Sequence, residues 1–437
     1  MSTTFARLID PTFEDDHDPF RHYDASGEPL EDRLYLPCGI DPHSQVCGVA
    51  FVHPLPQRQE VLLERHLHNN CLEDVTWLME TGDRLAQPFQ ATPLYVFEAT
   101  GPYWKPYRNF LHQAGRATAT ICGRQSKHAR GTGTRKTHND LKDAYTVAKV
   151  FKQGESHASR IPPEPLASLR EYTRQHLFFV EAAVAMQNRM YTLRYQLHPE
   201  FDALFSEPIL ATTLALMQAE LVSPEHLKTC PLNVLTELVR QASHGKLGAP
   251  LALALVQSAH TSFAVPTAGE ALSFNLRLLA EAYDYLDRVI LPPLRQRIET
   301  SLTQLPFQHY LDEIPYFGPI VIGSYLGELG WPAWFRTVDS AVAWFGLDPS
   351  VSISADKPAG VTHLTKRGSK YGRRIMWLVA RNWAVYTPEG HALVHKEMHE
   401  NGLAYDGAIC VLAAKLVRIA FAMLRDGSHF DRQRAFT

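Results

Sequence analysis

Residues 35 to 153 switch repeatedly between a two-residue and a 3.6-residue periodicity, and that alternation limits the fold more than any other feature of the chain. "YLPCGIDPHSQVCGVAFV", 35–52, is two apolar runs around the polar turn "DPHSQ", the pattern of a strand pair. "RQEVLLERHL" adds a third strand. Residues 71–86 read as a helix, "TPLYVFEAT" at 92–100 as a short strand ending in Glu98, 102–114 as a helix and "ATATICG" as a strand. Residues 138–153 read as a helix with Ala144, Val147, Ala148 and Phe151 on one face. A strand pair followed by strand–helix alternation calls for a mixed sheet covered by helices.

Such an α/β domain is of the ribonuclease-H kind. Asp41 ends its first strand and Glu98 a later one, while Asp140 and Asp143 open its last helix. The topology therefore allows four carboxylates to meet at one sheet edge. The rest of the chain has another character. "LASLREYTRQHLFFVEAAVAMQNRMYTLRYQL", 166–197, is a long amphipathic helix, with Pro162, Pro163 and Pro165 marking its start. A second long helical stretch, about 268–305, is interrupted by Pro292 and Pro293. Two long helices returning on each other make a coiled-coil arm, and a plain helical bundle fits the same pattern. From 313 on, short helices, a strand-and-turn stretch, the basic helix "KYGRRIMWLVARNWAVY" and an apolar closing helix form a mostly helical domain. The expected division is an acidic extension at 1–34, an α/β domain at 35–155, a helical domain at 156–312 and a C-terminal domain at 313–437.

Composition excludes several classes. The chain has 437 residues, 45% hydrophobic and 20% charged, ordinary for a globular protein with a sizeable core. No secretory signal and no membrane span is expected. The six cysteines are scattered without a C-x-x-C pair, as for reduced thiols in a cytosolic protein. There is no H-E-x-x-H and no G-x-S-x-G among the 21 histidines and the serines.

Net charge is −3, but the charge is sorted along the chain. Residues 1–34 carry nine acids and three bases. Residues 105–136 carry eight bases and no acid, and 361–381 six bases and no acid. Two such tracts point to polyanion contact, with Arg124, Lys127, Arg130, Arg135 and Lys136 as candidates in the first and Lys366, Arg367, Lys370, Arg373 and Arg374 in the second. Lys366, Lys370, Arg373 and Arg374 fall at i, i+4, i+7 and i+8, one helical face that Trp377 and Leu378 continue toward the core. Tyr371, Trp377, Trp383 and Tyr386 are expected in the core rather than as base-stacking platforms. Asp140 and Asp143, at i and i+3, share a helix face beside the first tract. Two carboxylates that close favour a hard divalent cation between them, Mg²⁺ or Mn²⁺. With Asp41 and Glu98 they have enough oxygens for the two-ion clamp of phosphoryl transfer. The same spacing also occurs on solvated helix starts, where acids favour the dipole.

"CGIDPHSQVCGVAF", "YVFEATGPYW" and "DLKDAYTVAKVF" resemble the three acidic motifs of the DEDD-type insertion-sequence transposases, the IS one-ten family. The block from "IPYFGPIVIGSYLGELG" through "RRIMWLVARNWAV" is similar to that family's C-terminal transposase domain, and "AAKLVRIAFAMLR" to its closing helix. The resemblance covers about 36–153 and 313–425, with a helical linker between. It implies a RuvC-like domain, a coiled-coil arm and a transposase domain, acting together as a DNA recombinase on double-stranded target and donor DNA. It further implies a structured guide RNA (the bridge RNA), Mg²⁺ on the RuvC-like acids, a serine that forms a covalent phosphoserine, and a composite active site in a tetramer, a dimer of dimers.

That family places its serine five residues past the proline of G-L-x-P, which in "GLDPSVSISAD" gives Ser354. Ser350 and Ser352 share its face in an extended segment and remain rivals. A serine hydroxyl needs activation to act as a nucleophile. Three positions depart from the family pattern. Ala355 stands where the family has Gly, His138-Asn139 intervenes between Lys136-Thr137 and Asp140, and Tyr316 replaces a Gly in the hairpin before the helix. Two other readings stand beside the recombinase: a metal-dependent nuclease or junction resolvase without a covalent serine, and an RNA-binding scaffold with a degenerate nuclease fold.

Overall fold

The computed structural model describes residues 34–68, 71–99, 101–121, 123, 126–127, 129, 139–153, 157–158, 161–207, 209–349 and 363–436. The acidic extension therefore lies outside the described residues, apart from Leu34. The chain divides into two compact units, one ending at Ile161 and the other running from Pro162.

The first unit is a six-stranded sheet in the order β3-β2-β1-β4-β5-β6. Its strands are β1 Tyr35–Pro42, β2 Val46–Val52, β3 Val61–His68, β4 Thr92–Glu98, β5 Ala117–Ile121 and the short β6 His157–Ala158, which sequence periodicity did not reveal. β1, β2 and β3 pair antiparallel, β4 and β5 run parallel to β1, and β6 is antiparallel to β5. Between the strands lie α1 Leu72–Ala86, α2 Trp104–Gln113 and α3 Asp140–Lys152. The mixed sheet is thus the ribonuclease-H-like arrangement expected of the alternating pattern.

Residue parity along each strand decides what the sheet's two faces touch. Leu36, Cys38 and Ile40 of β1 and Tyr95 and Phe97 of β4 pack with α1 and α2. Leu94 and Val96 of β4 share a second core with Val147 and Val150 of α3. Both faces are therefore buried, which explains the nearly unbroken apolar runs of β1 and β4.

The second unit is helical. α4, Leu166–Leu197, is 32 residues, about 48 Å at 1.5 Å per residue. Its antiparallel partner is α9 Gly269–Tyr285, a single π-helical turn at Leu286–Ile290, and α10 Leu291–Thr303. Pro292 and Pro293 do not break this second rod: they fall in the first turn of α10, where a missing N–H costs least. At one end Leu169 shares a core with Ile298. Near the other, Gln187 Nε2 donates to the Tyr283 hydroxyl at 2.8 Å and Met190 and Leu193 pack with Leu276 and Ala280. That end also carries α5 Ala211–Gln218, α6 Pro224–Thr229, α7 Leu232–Ala242 and α8 Ala249–Thr261 around the same core. The coiled-coil arm and the helical bundle coexist: the arm is two helices, and a bundle caps it.

The remaining helices are α11 Pro319–Leu329, α12 Val338–Trp344, α13 Lys370–Tyr386, α14 Pro388–His399, α15 Tyr405–Asp426 and α16 Arg432–Phe436. They share one core with the base of the arm. α15 is the one helix among the described residues long and apolar enough to cross a membrane, and 61% of its apolar window is buried inside the protein. Its Leu412, Leu416, Ala420 and Phe421 are fully buried, so its apolarity serves a protein core.

Candidate metal centre and basic helix

The acidic edge follows from strand register. Asp41 is two residues past Gly39 on β1 and so shares its face, the one α3 covers. Across the sheet Asp41 pairs with Gly48 of β2, and Gly48 pairs with His66 of β3, so the three form one row with a glycine in the middle. On the other side Ile40 pairs with Phe97, which places Asp41 and Glu98 in register at the ends of adjacent parallel strands. Glu98 has the parity of Leu94 and Val96, again the face of α3.

Two glycines let α3 sit directly on this row. A Cβ on Gly39 would fall against the backbone oxygen of Ala144, and one on Gly48 against the backbone oxygen of Asp140. The helix start is fixed by Asn139, whose side-chain oxygen accepts from the Leu141 N–H at 3.1 Å, an Asx cap. Asp140 and Asp143 occupy the first turn, where the helix dipole favours acids.

Asp140 thereby reaches Asp41 through a residue the periodicity pattern did not single out. Past Pro42, the His43 N–H donates to the Val46 carbonyl at 3.1 Å, so Ser44 and Gln45 form the turn and His43 continues the ladder. At two residues from Asp41 its ring lies on the same face. His43 Nε2 stands 3.3 Å from Asp41 Oδ2 and 3.6 Å from Asp140 Oδ1. Ligand atoms of Asp41, His43 and Asp140 all lie within 4.8 Å of one another. His66 approaches the second Asp140 oxygen at 3.9 Å. The available signal was the i, i+2 spacing in "DPH", read as a polar turn because proline and histidine interrupt the apolar run.

Glu98 and Asp143 stand outside this cluster. Glu98 is buried, and its Oε2 accepts from the Ser126 hydroxyl at 2.5 Å. Asp143 is half-buried on the first turn of α3. The donor set of Asp41, Asp140 and His43 fits a divalent cation: carboxylate oxygens and an imidazole, accessible from solvent, with His43 57% and Asp140 43% exposed in their side chains.

In the second unit the basic tract is differently organised from its sequence pattern. α13 begins at Lys370, with Ser369 as its N-cap, and Lys366 precedes it in a left-handed backbone conformation, φ +53°. Lys366 therefore does not lie on the helical stripe. The buried face is Gly372, Met376, Val379, Ala380 and Trp383 rather than Trp377 and Leu378, which are half-buried. Of the aromatics expected inside, Trp383 is fully buried, Tyr371 is partly covered with Arg174 over its ring at 4.6 Å, and Tyr386 is exposed beside Tyr316. Lys366, Arg367, Lys370 and Arg374 are exposed. Arg374 pairs with Glu181 of α4 at 2.8 Å, and half-buried Arg373 donates to the Phe345 carbonyl at 3.4 Å.

The start of α13 is held by a buried carboxylate that no periodicity flags. Glu328 of α11 accepts two hydrogen bonds from Arg174, at 2.6 and 2.9 Å, and a third from Ser369 Oγ at 2.6 Å, with Arg170 at 3.8 Å. Its backbone oxygen accepts from Trp344 Nε1 at 2.7 Å. Helices α4, α11, α12 and α13 are thus tied at one point. Nearby, Pro349 bridges Leu364, and Thr365 bonds Asp348 through both backbone and hydroxyl, at 3.0 and 2.5 Å. These contacts hold the two ends of the segment that includes Ser350, Ser352, Ser354 and Ala355, which itself lies outside the described residues. Arg124, Arg130, Arg135, Lys136 and His138 also lie outside them; Lys127 is described and exposed.

A family model described as a transposase, of the DEDD IS110 type, matches residues 38–199. A second, described as transposase, IS116/IS110/IS902 family, matches residues 308–395. The two together span more than half of the chain. No curated protein matches. Among solved structures, the chain is similar to RuvC of T. thermophilus in complex with a Holliday junction substrate, at 12% identity and a TM-score of 0.22, over 28% of this chain and 99% of that one.

Proposed function

The chain belongs to the IS110-type insertion-sequence transposases, enzymes of DNA transposition, and from that premise we propose that it cuts and rejoins double-stranded target and donor DNA through a covalent phosphoserine. The observation that carries the reading is the meeting of Asp41 and Asp140, 99 positions apart in sequence, at the accessible edge of the sheet. Asp41, Glu98, Asp140 and Asp143 would hold divalent cations, Mg²⁺ or Mn²⁺, which when bound would supply charge neutralisation at the phosphate and at the attacking and leaving oxygens.

Ser354 is the nucleophile. Its Oγ bonds to a DNA phosphorus and displaces one bridging oxygen. The serine proton is lost, the released DNA hydroxyl gains one, and rejoining reverses the exchange. Lys127 and the group Lys366, Arg367, Lys370, Arg373 and Arg374, together with Arg124, Arg130, Arg135 and Lys136, contact phosphates of the DNA and of a structured guide RNA. The working assembly is a tetramer, a dimer of dimers.

The test is a cleavage assay with the protein expressed beside its native flanking DNA, resolved under denaturing conditions. Wild type should give a protein–DNA adduct, Ser354→Ala neither adduct nor cut, and Asp140→Asn neither. Cutting retained in Ser354→Ala but lost in Asp140→Asn would instead establish a metal-dependent nuclease without a covalent serine. Sequencing of the RNA that copurifies tests the guide: one discrete structured species from the flanks is expected.

A further inference from the structure

We propose that His43 is itself a metal ligand in this chain, joining Asp41 and Asp140 in a set of two carboxylates and one imidazole, and that it shifts the site's preference from Mg²⁺ toward Mn²⁺. The inference rests on the reading of the acidic edge as a divalent-cation site and adds a residue and a selectivity to it.

Three observations carry it. First, one nitrogen faces both acids: His43 Nε2 lies 3.3 Å from Asp41 Oδ2 and 3.6 Å from Asp140 Oδ1. A six-coordinate ion with bonds of about 2.1 Å holds neighbouring ligand atoms about 3 Å apart. The two contacts of His43 therefore need to close by only a few tenths of an ångström, and the two carboxylate oxygens already lie within 4.8 Å of each other. Second, the placement is built into the backbone. His43 continues the β1 ladder through its bond to Val46, and Gly48 leaves room for the start of α3 over the same row. Third, neither contact of His43 with the two acids is a close hydrogen bond, so ligation breaks no close bond between His43 and these carboxylates.

The chemistry sets the selectivity. Mg²⁺ prefers all-oxygen surroundings and keeps much of its water, whereas imidazole suits transition ions better than it suits Mg²⁺. An imidazole among the nearest ligands therefore costs Mg²⁺ more than Mn²⁺. His66, 3.9 Å from the other Asp140 oxygen and outside the cluster, positions that carboxylate rather than binding the ion.

The experiment is pulsed electron paramagnetic resonance on the full chain loaded with Mn²⁺, with Mn²⁺ affinity and Mg²⁺ competition measured on the same samples. Wild type should show the modulation of a directly bound imidazole nitrogen. His43→Asn should lose it, and His66→Asn should keep it. His43→Asp restores an all-oxygen set, so it should lose the modulation while Mg²⁺ competes better against Mn²⁺ than in wild type. Mn²⁺ bound without nitrogen modulation overturns the role of His43 and leaves the carboxylate site standing. So does modulation that survives His43→Asn, arising for example from His391, His395 and His399, an exposed i, i+4, i+8 face of α14. Failure of Mn²⁺ to bind at all removes both this assignment and the metal site it rests on.

Discussion

The sheet unit and the helical unit each draw charged side chains from distant parts of the sequence to one point, and they leave them in opposite states. Around Glu328 the carboxylate is saturated. Its side chain is 1% exposed, Arg174 grips both oxygens, and Ser369 adds a third bond. At the sheet edge the oxygens of Asp140 meet His43 and His66 only at 3.6 and 3.9 Å, in the open. A buried carboxylate with its bonds made fixes the elements around it and has nothing left to offer a ligand. Carboxylates gathered at one point repel one another, and a cation relieves that repulsion. Saturation, more than charge, marks the Glu328 cluster as structural, whereas the sheet-edge acids are the proposed metal site.

The comparison is most directly broken at Glu328. Glu328→Gln removes the main counter-charge of the partly buried Arg170 and Arg174 and should cost the helical unit about 3 kcal/mol. Hydrogen exchange on the full chain should show α4, α11 and α13 losing protection together, with the sheet strands unchanged. Protection equal to wild type would mean that the cluster is not what ties those helices.

A smaller effect is expected at Gly48. In Gly48→Ala the new Cβ pushes against the Asp140 carbonyl, at a cost of about 2 kcal/mol to the sheet unit. Mn²⁺ affinity should fall as well, because Asp140 moves off the row of Asp41. Unchanged affinity would show that the site tolerates displacement of α3 and is less dependent on that approach than the geometry implies.

The smallest effect is a pH dependence of the helical unit. Burial pulls His198, His176 and His309 below the ordinary histidine range. His198 is held neutral between the Val222 carbonyl at 3.0 Å and the Ser258 hydroxyl at 2.8 Å. The unfolded chain then takes up protons first as pH falls through about 6.5, so the stability is present above that pH and is lost progressively below it. Melting curves between pH 7.5 and 5.5 should move to lower temperature, and His198→Gln should flatten the trend while lowering the plateau.

Much of the fold was legible because its signals are local. The strand pair at 35–52, the helix opened by Asp140 and the 32-residue α4 all follow from periodicity, turn residues and caps within a few positions of one another. Asp41, Glu98, Asp140 and Asp143 were likewise visible as acids at strand ends and in a helical first turn. The basic stripe misled for a local reason: a left-handed Lys366 stops the helical count four residues before α13 begins. The prolines at 292 and 293 misled because a π turn absorbs them.

What only the tertiary structure decided is which of these residues meet. That His43 faces both Asp41 and Asp140 depends on the two-residue turn of a hairpin, on the β2–β1–β4 strand order and on two glycines that let a helix approach the sheet. Glu328 looks in sequence like any acid inside an apolar helix, and its partners come from three other helices. The chain's sequence fixes periodicities, parities and caps because neighbours along the backbone set them. Convergence of side chains depends instead on packing distances between elements far apart in sequence, which no local pattern encodes.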